Sequence, residues 1–379
     1  MPITVEDVKG PADLADILDL PLRLHAADPG YVAPLRPLVM RRLNPKNPFF
    51  RDARIDFFRA RRGRETVGSI SLLIDERHNR HSGERTAFFG FFECERDPEV
   101  SRALFAKVID RARALGATSL RGPRNVTRVE DIGLLVEGFD SRPPMLAGHH
   151  PRYYRDLVEA EGFVKRFDMI AYETPLFDAA GRRRELPEDL RRKAEAVKIP
   201  GLEVRRVNWR RITKDMEVAH AVFTKAYRDV PEFVPMPREQ FVSLGKAFVV
   251  LANHNLLQIA TVRGEPAAFA VCLPELNEAF AAARGELLPL GWARIAAALR
   301  RIRTASFKLI GVVPEFRSTG LYALLIQHVV DGLRAAGYER LEASLIHEDN
   351  KAMRHIVESA GCEPYRRYRV YERPLGQGD

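Results

Sequence analysis

The sequence predicts an α/β (α+β) chain built as two tandem domains of one fold, each a mixed central sheet flanked by helices. Three observations carry this. Residues 151–176 align without a gap onto 350–375, matching Arg155/Arg354, Val158/Val357, Glu159/Glu358, Gly162/Gly361, Tyr172/Tyr371, Glu173/Glu372, Pro175/Pro374 and Leu176/Leu375. A second block repeats in the same order, with Leu104, Val108, Asp110, Arg113, Ala114, Gly116 and Leu120 matching Leu325, Val329, Asp331, Arg334, Ala335, Gly337 and Leu341. The offset falls from 221 to 199 between the blocks, so the first copy carries extra residues there, roughly 124–150. A period of that length is a whole domain and not a solenoid repeat.

The third observation is the order of elements. In the first copy, 56–60 and 66–75 alternate as a hairpin around Arg62-Gly63, and 87–94 reads as a third strand. Helical periodicity follows over 98–115, then a strand at 118–121, a helix at 153–161 closed by Gly162, and a last strand at 169–173. The second copy repeats this with a hairpin at 256–263 and 267–273, a strand at 307–313 and a helix at 321–336. Leu321, Leu325, Val329 and Leu333 are spaced by four along that helix. The strand 340–345, the helix 351–360 and the strand 368–372 complete the copy. The expected domains are therefore 1–177 and 201–379, joined by a charged, partly helical linker at 178–200 that holds Arg182-Arg183-Arg184 and Arg191-Arg192-Lys193.

Composition narrows the class. A content of 46% hydrophobic residues in 379 is enough for two cores. The acidic opening 1–16 has no apolar segment of a secretory signal, and the longest uncharged apolar-rich stretch, 247–262, is interrupted by Asn253, Asn255 and Gln258. Cys94, Cys272 and Cys362 are odd in number and scattered, which fits a reducing cytoplasm and no metal. A net charge of +9 favours an anionic partner: a phosphorylated cofactor, an anionic membrane surface or, less readily, nucleic acid.

The run Val312-Val313-Pro314-Glu315-Phe316-Arg317-Ser318-Thr319-Gly320-Leu321 joins a strand to a helix. Unpaired N–H groups of a first helical turn beside a glycine suit a pyrophosphate. With Asn350, Gly361 and the element order, the chain resembles the GCN5-related N-acetyltransferase (GNAT) superfamily over nearly its whole length. That resemblance implies acyl-CoA bound at Val312, Val313, Arg317, Ser318, Thr319, Gly320, Leu321 and Asn350. It departs from the family loop at Tyr322, where a small residue is usual. In the first copy the same positions are Arg96, Asp97, Pro98 and Glu99, an anionic helix start that suits an N-cap and disfavours phosphate. The second copy is thus expected to hold acyl-CoA and the first to be degenerate for it.

N-acyl transfer needs a neutral amine, donors for the thioester oxyanion and an acid for the thiolate. The resemblance places the oxyanion donor on the backbone near Val312. The acid usual in the superfamily, a Tyr, is replaced by Val357 and, in the first copy, Val158. Alternation along Leu341-Glu342-Ala343-Ser344-Leu345 sets Glu342 and Ser344 on one face, with His347 at the strand end, as candidate proton carriers. Glu342 as an ion-paired residue and His347 as a turn residue are equally open. Tyr322, Tyr365, Tyr368 and Tyr371 are further candidate acids, though Tyr371 has a repeat partner in Tyr172.

Within the insertion 274–306, Leu288, Trp292, Ile295, Leu299 and Ile302 share one helical face among Arg294, Arg300, Arg301 and Arg303. This is either a helix for an anionic bilayer or one covering the sheet. The strings Phe88-Phe89-Gly90-Phe91-Phe92-Glu93, Gly133-Leu134-Leu135-Val136-Glu137-Gly138-Phe139-Asp140 and Tyr368-Arg369-Val370-Tyr371-Glu372 resemble a bacterial tandem group similar to bacterial ceramide synthases. That narrower resemblance implies a sphingoid-type amine acceptor and a cytoplasmic protein, peripheral on the inner face of the membrane. Glu130, Asp131, His149 and His150 of the extra segment are expected to wall the amine site. A non-catalytic membrane-associated binding protein and an aminoacyl-tRNA-dependent transferase are the alternative classes.

Overall fold

The computed structural model describes residues 1–249 and 256–376, so part of the apolar stretch 247–262 lies outside the described residues. In chain order the elements are β1 (Ile3–Asp7), α1 (Pro11–Leu24), α2 (Arg36–Arg42), β2 (Ala53–Arg62), β3 (Glu65–Asp75), α3 (Glu76–Ser82), β4 (Thr86–Cys94), α4 (Pro98–Ala114), β5 (Ser119–Gly122), β6 (Leu134–Glu137), α5 (Tyr153–Ala160) and β7 (Val164–Pro175). They continue with α6 (Glu188–Glu195), β8 (Leu202–Arg206), α7 (Ile212–Ala226), α8 (Arg238–Val249), β9 (Leu257–Val262), β10 (Glu265–Pro274), α9 (Asn277–Phe280), α10 (Gly291–Leu299), β11 (Thr304–Val312), α11 (Leu321–Ala335), β12 (Arg340–His347), α12 (Lys351–Ser359) and β13 (Glu363–Pro374). Among the described residues no helix is long and apolar enough to cross a membrane.

Two compact units result, one from Met1–Met169, Phe280–Ile295 and Arg366–Asp379, the other from Ile170–Ala279 and Ala296–Tyr365. The first unit orders its sheet β1-β2-β3-β4-β5-β13, with β6 also on β13, and the second orders its sheet β7-β12-β11-β10-β9-β8. Within each, an antiparallel meander ends in one parallel pair, β4 with β5 and β11 with β12. Both copies also have a strand and two helices before the hairpin, β1-α1-α2 and β8-α7-α8, which the sequence reading left unassigned.

The local causes are plain in the first unit. Gly63 at φ +63° turns the β2–β3 hairpin in register Arg62↔Glu65. α4 starts on Asp97, whose carboxylate accepts the Glu99 N–H at 2.9 Å, and on Pro98 in the first turn. Its buried stripe of Val100, Leu104, Phe105, Val108 and Ala112 fills the core with Phe89, Phe92 and Tyr154. In the second unit Val222, Phe223, Phe269 and Val313 form the corresponding cluster under α7.

The units are not consecutive stretches of chain. The last strand of the second copy, β13, pairs with β5 of the first in register Tyr371↔Gly122 to Pro374↔Ser119, while β7 is hydrogen-bonded to β12. Residues that the repeat aligns are crossed as a result. Tyr371 donates to Glu159 at 2.9 Å and Tyr172 donates to Glu358 at 3.0 Å, each tyrosine meeting the glutamate of the other copy. Tyr371 therefore has a packing role, as its repeat partner suggested. A linear boundary at 177 cannot convey this, because two strands of one pattern fit either sheet equally.

The insertion holds the short α9 and a nine-residue α10. Leu288, Leu290 and Trp292 are exposed at 77%, 58% and 59%, whereas Ile302, expected on the same face, is buried. The helix ends at Leu299, and Ile302 lies in the connection that leads into β11.

Because Tyr368, Val370 and Tyr371 are buried in the first unit, β13 contributes roughly 1.5–3 kcal/mol per large apolar side chain. A fragment ending at residue 177 should therefore show no cooperative urea transition by circular dichroism. The same fragment joined to 363–376 through a flexible linker should regain one.

Candidate active site

In the second unit β11 and β12 pair only from Thr304↔Arg340 to Phe307↔Ala343, and then separate. Val312 lies at the far end of β11, on the side that the separation opens. Its counterpart in the first unit is Cys94, since Gly68↔Cys94 and Ala268↔Val312 are equivalent pairs. The next residues agree as well: Glu95 N–H donates to Val67 O at 3.0 Å and Val313 N–H to Ala267 O at 2.9 Å.

The two copies differ in what fills that opening. In the first, the Cys94 N–H donates to the Tyr154 hydroxyl at 3.0 Å and the Tyr153 hydroxyl donates to Cys94 O at 2.8 Å. These two side chains of α5 replace a neighbouring strand. At the repeat-related positions α12 carries Ala352 and Met353, which have no hydroxyl, so Val312 cannot be capped in this way. One carbonyl of the same edge, Ile310 O, accepts from Tyr227 at 3.0 Å.

The loop after β11 makes a 3₁₀ turn over Pro314–Thr319, and Gly320 follows at φ +81°. α11 has no side-chain cap, in contrast to Asp97 at the start of α4. Gly320 has a structural reason of its own, since a Cβ there would stand 2.5 Å from the Lys193 carbonyl of α6. The close approach that the sequence assigns to a ligand is thus made, on that side, by the linker helix. Arg317 turns to the end of α7, donating to Asp229 at 3.2 Å and to Ala226 O at 2.9 Å. Thr319 donates to Phe316 O, Ser318 is exposed, Leu321 is buried, and Asn350 caps α12 by accepting the Met353 N–H at 3.2 Å.

Glu342 and Ser344 do share a face of β12, and the structure adds Lys308 between them. Glu342 is 2% exposed, accepts from the Ser306 hydroxyl and lies 3.6 Å from Lys308 Nζ, which donates to Ser344 Oγ at 2.9 Å. A carboxylate beside an ammonium forms an ion pair; this pair is buried and does not decide between the two roles left open for Glu342. His347 is buried at the strand end and its Nδ1 accepts the Asp349 N–H at 3.1 Å.

The first unit contains a cavity whose water-accessible core measures about 130 Å³, far more than the roughly 10–15 Å³ one water needs. α1, α2, the end of β4 and the segment around 147–150 line it. Asp131, His149 and His150 stand in its wall. Glu130 is buried beside it, bonded to Thr127 and 3.7 Å from Arg42. Arg366 donates to His149 Nδ1 at 2.8 Å, so Nε2 carries the proton and donates it to Asp28 at 2.9 Å. Burial lowers the His149 pKa, Asp28 opposing and Arg366 assisting, and burial pushes His150 down to about 3. Both rings are neutral near pH 7.

A bacterial ceramide synthase of Caulobacter vibrioides is 35% identical over 381 residues, covering 98% of each chain. The chain belongs to the tandem GNAT-fold acyltransferases. Protein YghO of Escherichia coli is 30% identical, covering 96% of this chain and 93% of its own. A solved tandem GNAT protein from the clavulanic acid biosynthesis pathway superposes with a TM-score of 0.59 at 16% identity over the full length of both chains. A GCN5-related N-acetyltransferase from Sphaerobacter thermophilus gives 0.51 at 13%, covering 100% and 97%. No protein-family model matches the chain.

For this acyltransferase, sequence reasoning missed Lys308, although alternation along β11 sets it with Ser306 on one face. It also missed the cavity, whose α1 and α2 walls come from residues that carry no motif. Gly320→Ala should cost about 1–3 kcal/mol in thermal unfolding with no ligand present, from the positive φ and the Lys193 carbonyl. Calorimetry on the free protein checks it, and any loss of CoA affinity in that variant must be read after this correction.

Proposed function

We propose that this acyltransferase moves an acyl group from acyl-CoA to the primary amine of a long-chain, sphingoid-type base, and that the second unit holds the acyl-CoA. The observation that carries the cofactor half is the contrast between Val312 and Cys94, one strand edge without hydroxyl caps and the other closed by Tyr153 and Tyr154. The uncapped start of α11 supports it, since exposed N–H groups at a helix start attract phosphate. The acceptor half rests on the name of the Caulobacter relative, a ceramide synthase.

In this reading the amine nitrogen attacks the thioester carbonyl, a C–N bond forms, the C–S bond breaks and thiolate leaves. The Val312 N–H donates to the developing oxyanion. Arg317, Ser318, Thr319, Gly320, Leu321 and Asn350 border the loop that receives the nucleotide end, with Val313 anchoring the strand. Glu342, Lys308 and Ser344 form the path for the amine proton, with His347 at the end of the same strand. Lys308 lies between Glu342 and Ser344, and the Ser344 hydroxyl can relay a proton between them and the opening.

Purified protein given a sphingoid base and acyl-CoAs from acetyl to palmitoyl should release free thiol with the long chains. Glu342→Gln in the same assay should lower turnover by about 10² with unchanged CoA affinity. Thiol release confined to acetyl-CoA and soluble amines would reject the lipid acceptor.

A substrate that lives in a bilayer also gives a use to Leu288, Leu290 and Trp292, exposed beside Arg294. The protein should co-sediment with anionic liposomes and release with salt, and Leu288→Asp with Leu290→Asp should abolish this. Equal binding to neutral liposomes would remove the electrostatic part of the proposal.

A further inference from the structure

We infer that the cavity of the first unit is a binding site for a long-chain primary amine, with Glu93 as the counter-ion of its ammonium group. The inference rests on the proposed function only for the natural ligand, since the cavity's own chemistry points to an amphiphile of this charge. Leu18, Leu22, Val39, Phe92 and Val126 supply apolar wall. Besides the exposed Glu286, three carboxylates reach the lining, from α1, β4 and the 124–150 segment: Asp19, Glu93 and Asp131.

Two of the three have permanent cations. Asp19 is bonded to Arg36, and Asp131 accepts from Arg42 at 3.0 Å. Glu93 is met instead by a phenol and an imidazole: its Oε2 accepts from the Tyr154 hydroxyl at 2.7 Å and faces His25 Nε2 at 3.0 Å. The His25 Nδ1 is buried with no hydrogen-bond partner among the described residues, so the tautomer that donates Nε2–H to Glu93 leaves no buried N–H unmade. His149 and His150 add no charge to the wall. A carboxylate bonded to a phenol and an imidazole and not to an arginine or lysine, at the end of an apolar cavity, has room for the charge that an ammonium head would bring. An alcohol or carboxylate head of the same chain length would leave it unmet or repel it.

The probes are decylamine and decanol, used below their aggregation concentrations and titrated by calorimetry into the full-length protein without acyl-CoA. Wild type should bind the amine about tenfold or more tightly than the alcohol, as an ion-paired hydrogen bond in a part-buried site requires. Glu93→Gln should erase that preference and leave decanol binding in place, and Val39→Trp should weaken both by narrowing the cavity. Equal affinity of wild type for the two probes, or a preference that survives Glu93→Gln, overturns the site. The wild-type comparison does not depend on any variant folding. Amine binding with this pattern but no acyl transfer would sink the proposed function and leave the cavity assignment standing. Acyl transfer without the amine preference would do the reverse.

Discussion

The structure depends on a constraint that neither copy satisfies with its own consecutive residues: each sheet is completed by a last strand of the other copy. β13 buries Tyr368, Val370 and Tyr371 in the first unit, and β7 brings Tyr172 to α12 in the second. The crossed pairs Tyr371–Glu159 and Tyr172–Glu358 place a hydroxyl-to-carboxylate bond at the same point of each unit. Asp168 is 1% exposed and receives Arg369 at 2.9 Å and Lys165 at 3.1 Å, so β13 is also tied to the first unit by charge. Removing one end of the chain therefore removes the edge of a sheet whose other strands lie far away in sequence.

On that shared backbone the two copies have diverged by a few side chains at one place. The end of the third meander strand is closed by two tyrosine hydroxyls in the first unit, whereas the repeat-related positions of the second carry Ala352 and Met353. The following helix is capped by Asp97 in one and preceded by Gly320 in the other. Both changes occupy backbone donors in the first copy, and the second copy carries neither the tyrosines nor the aspartate at the repeat-related positions.

The excess of positive charge is distributed mostly as local pairing. Carboxylates such as Asp75 and Asp215 are buried against Arg124 and Arg205, which offset the cost of burial and hold their pKa values down. In the second unit the buried Glu342 lies 3.6 Å from Lys308 Nζ. Against this background Glu93 differs from Asp19 and Asp131 in the cavity lining, which are bonded to Arg36 and Arg42.

The sequence by itself determined the repeat, the strand and helix order and the helix starts, because these follow from local periodicity, caps and turn residues such as Gly63, Asp97 and Gly320. It also determined that Glu342 and Ser344 share a face, which alternation dictates, and it singled out polar residues of the segment 124–150, of which Asp131, His149 and His150 line a cavity. Only the tertiary structure decided which sheet each last strand joins, since β7 and β13 carry the same pattern and pair through backbone groups that do not read sequence. It alone placed Lys308 against Glu342, Lys193 against Gly320 and α1 over Glu93, contacts between residues 34 to 127 positions apart in some cases and fixed by packing. Burial and charge pairing are properties of neighbours in space, and the sequence names those neighbours only where they are also neighbours along the chain.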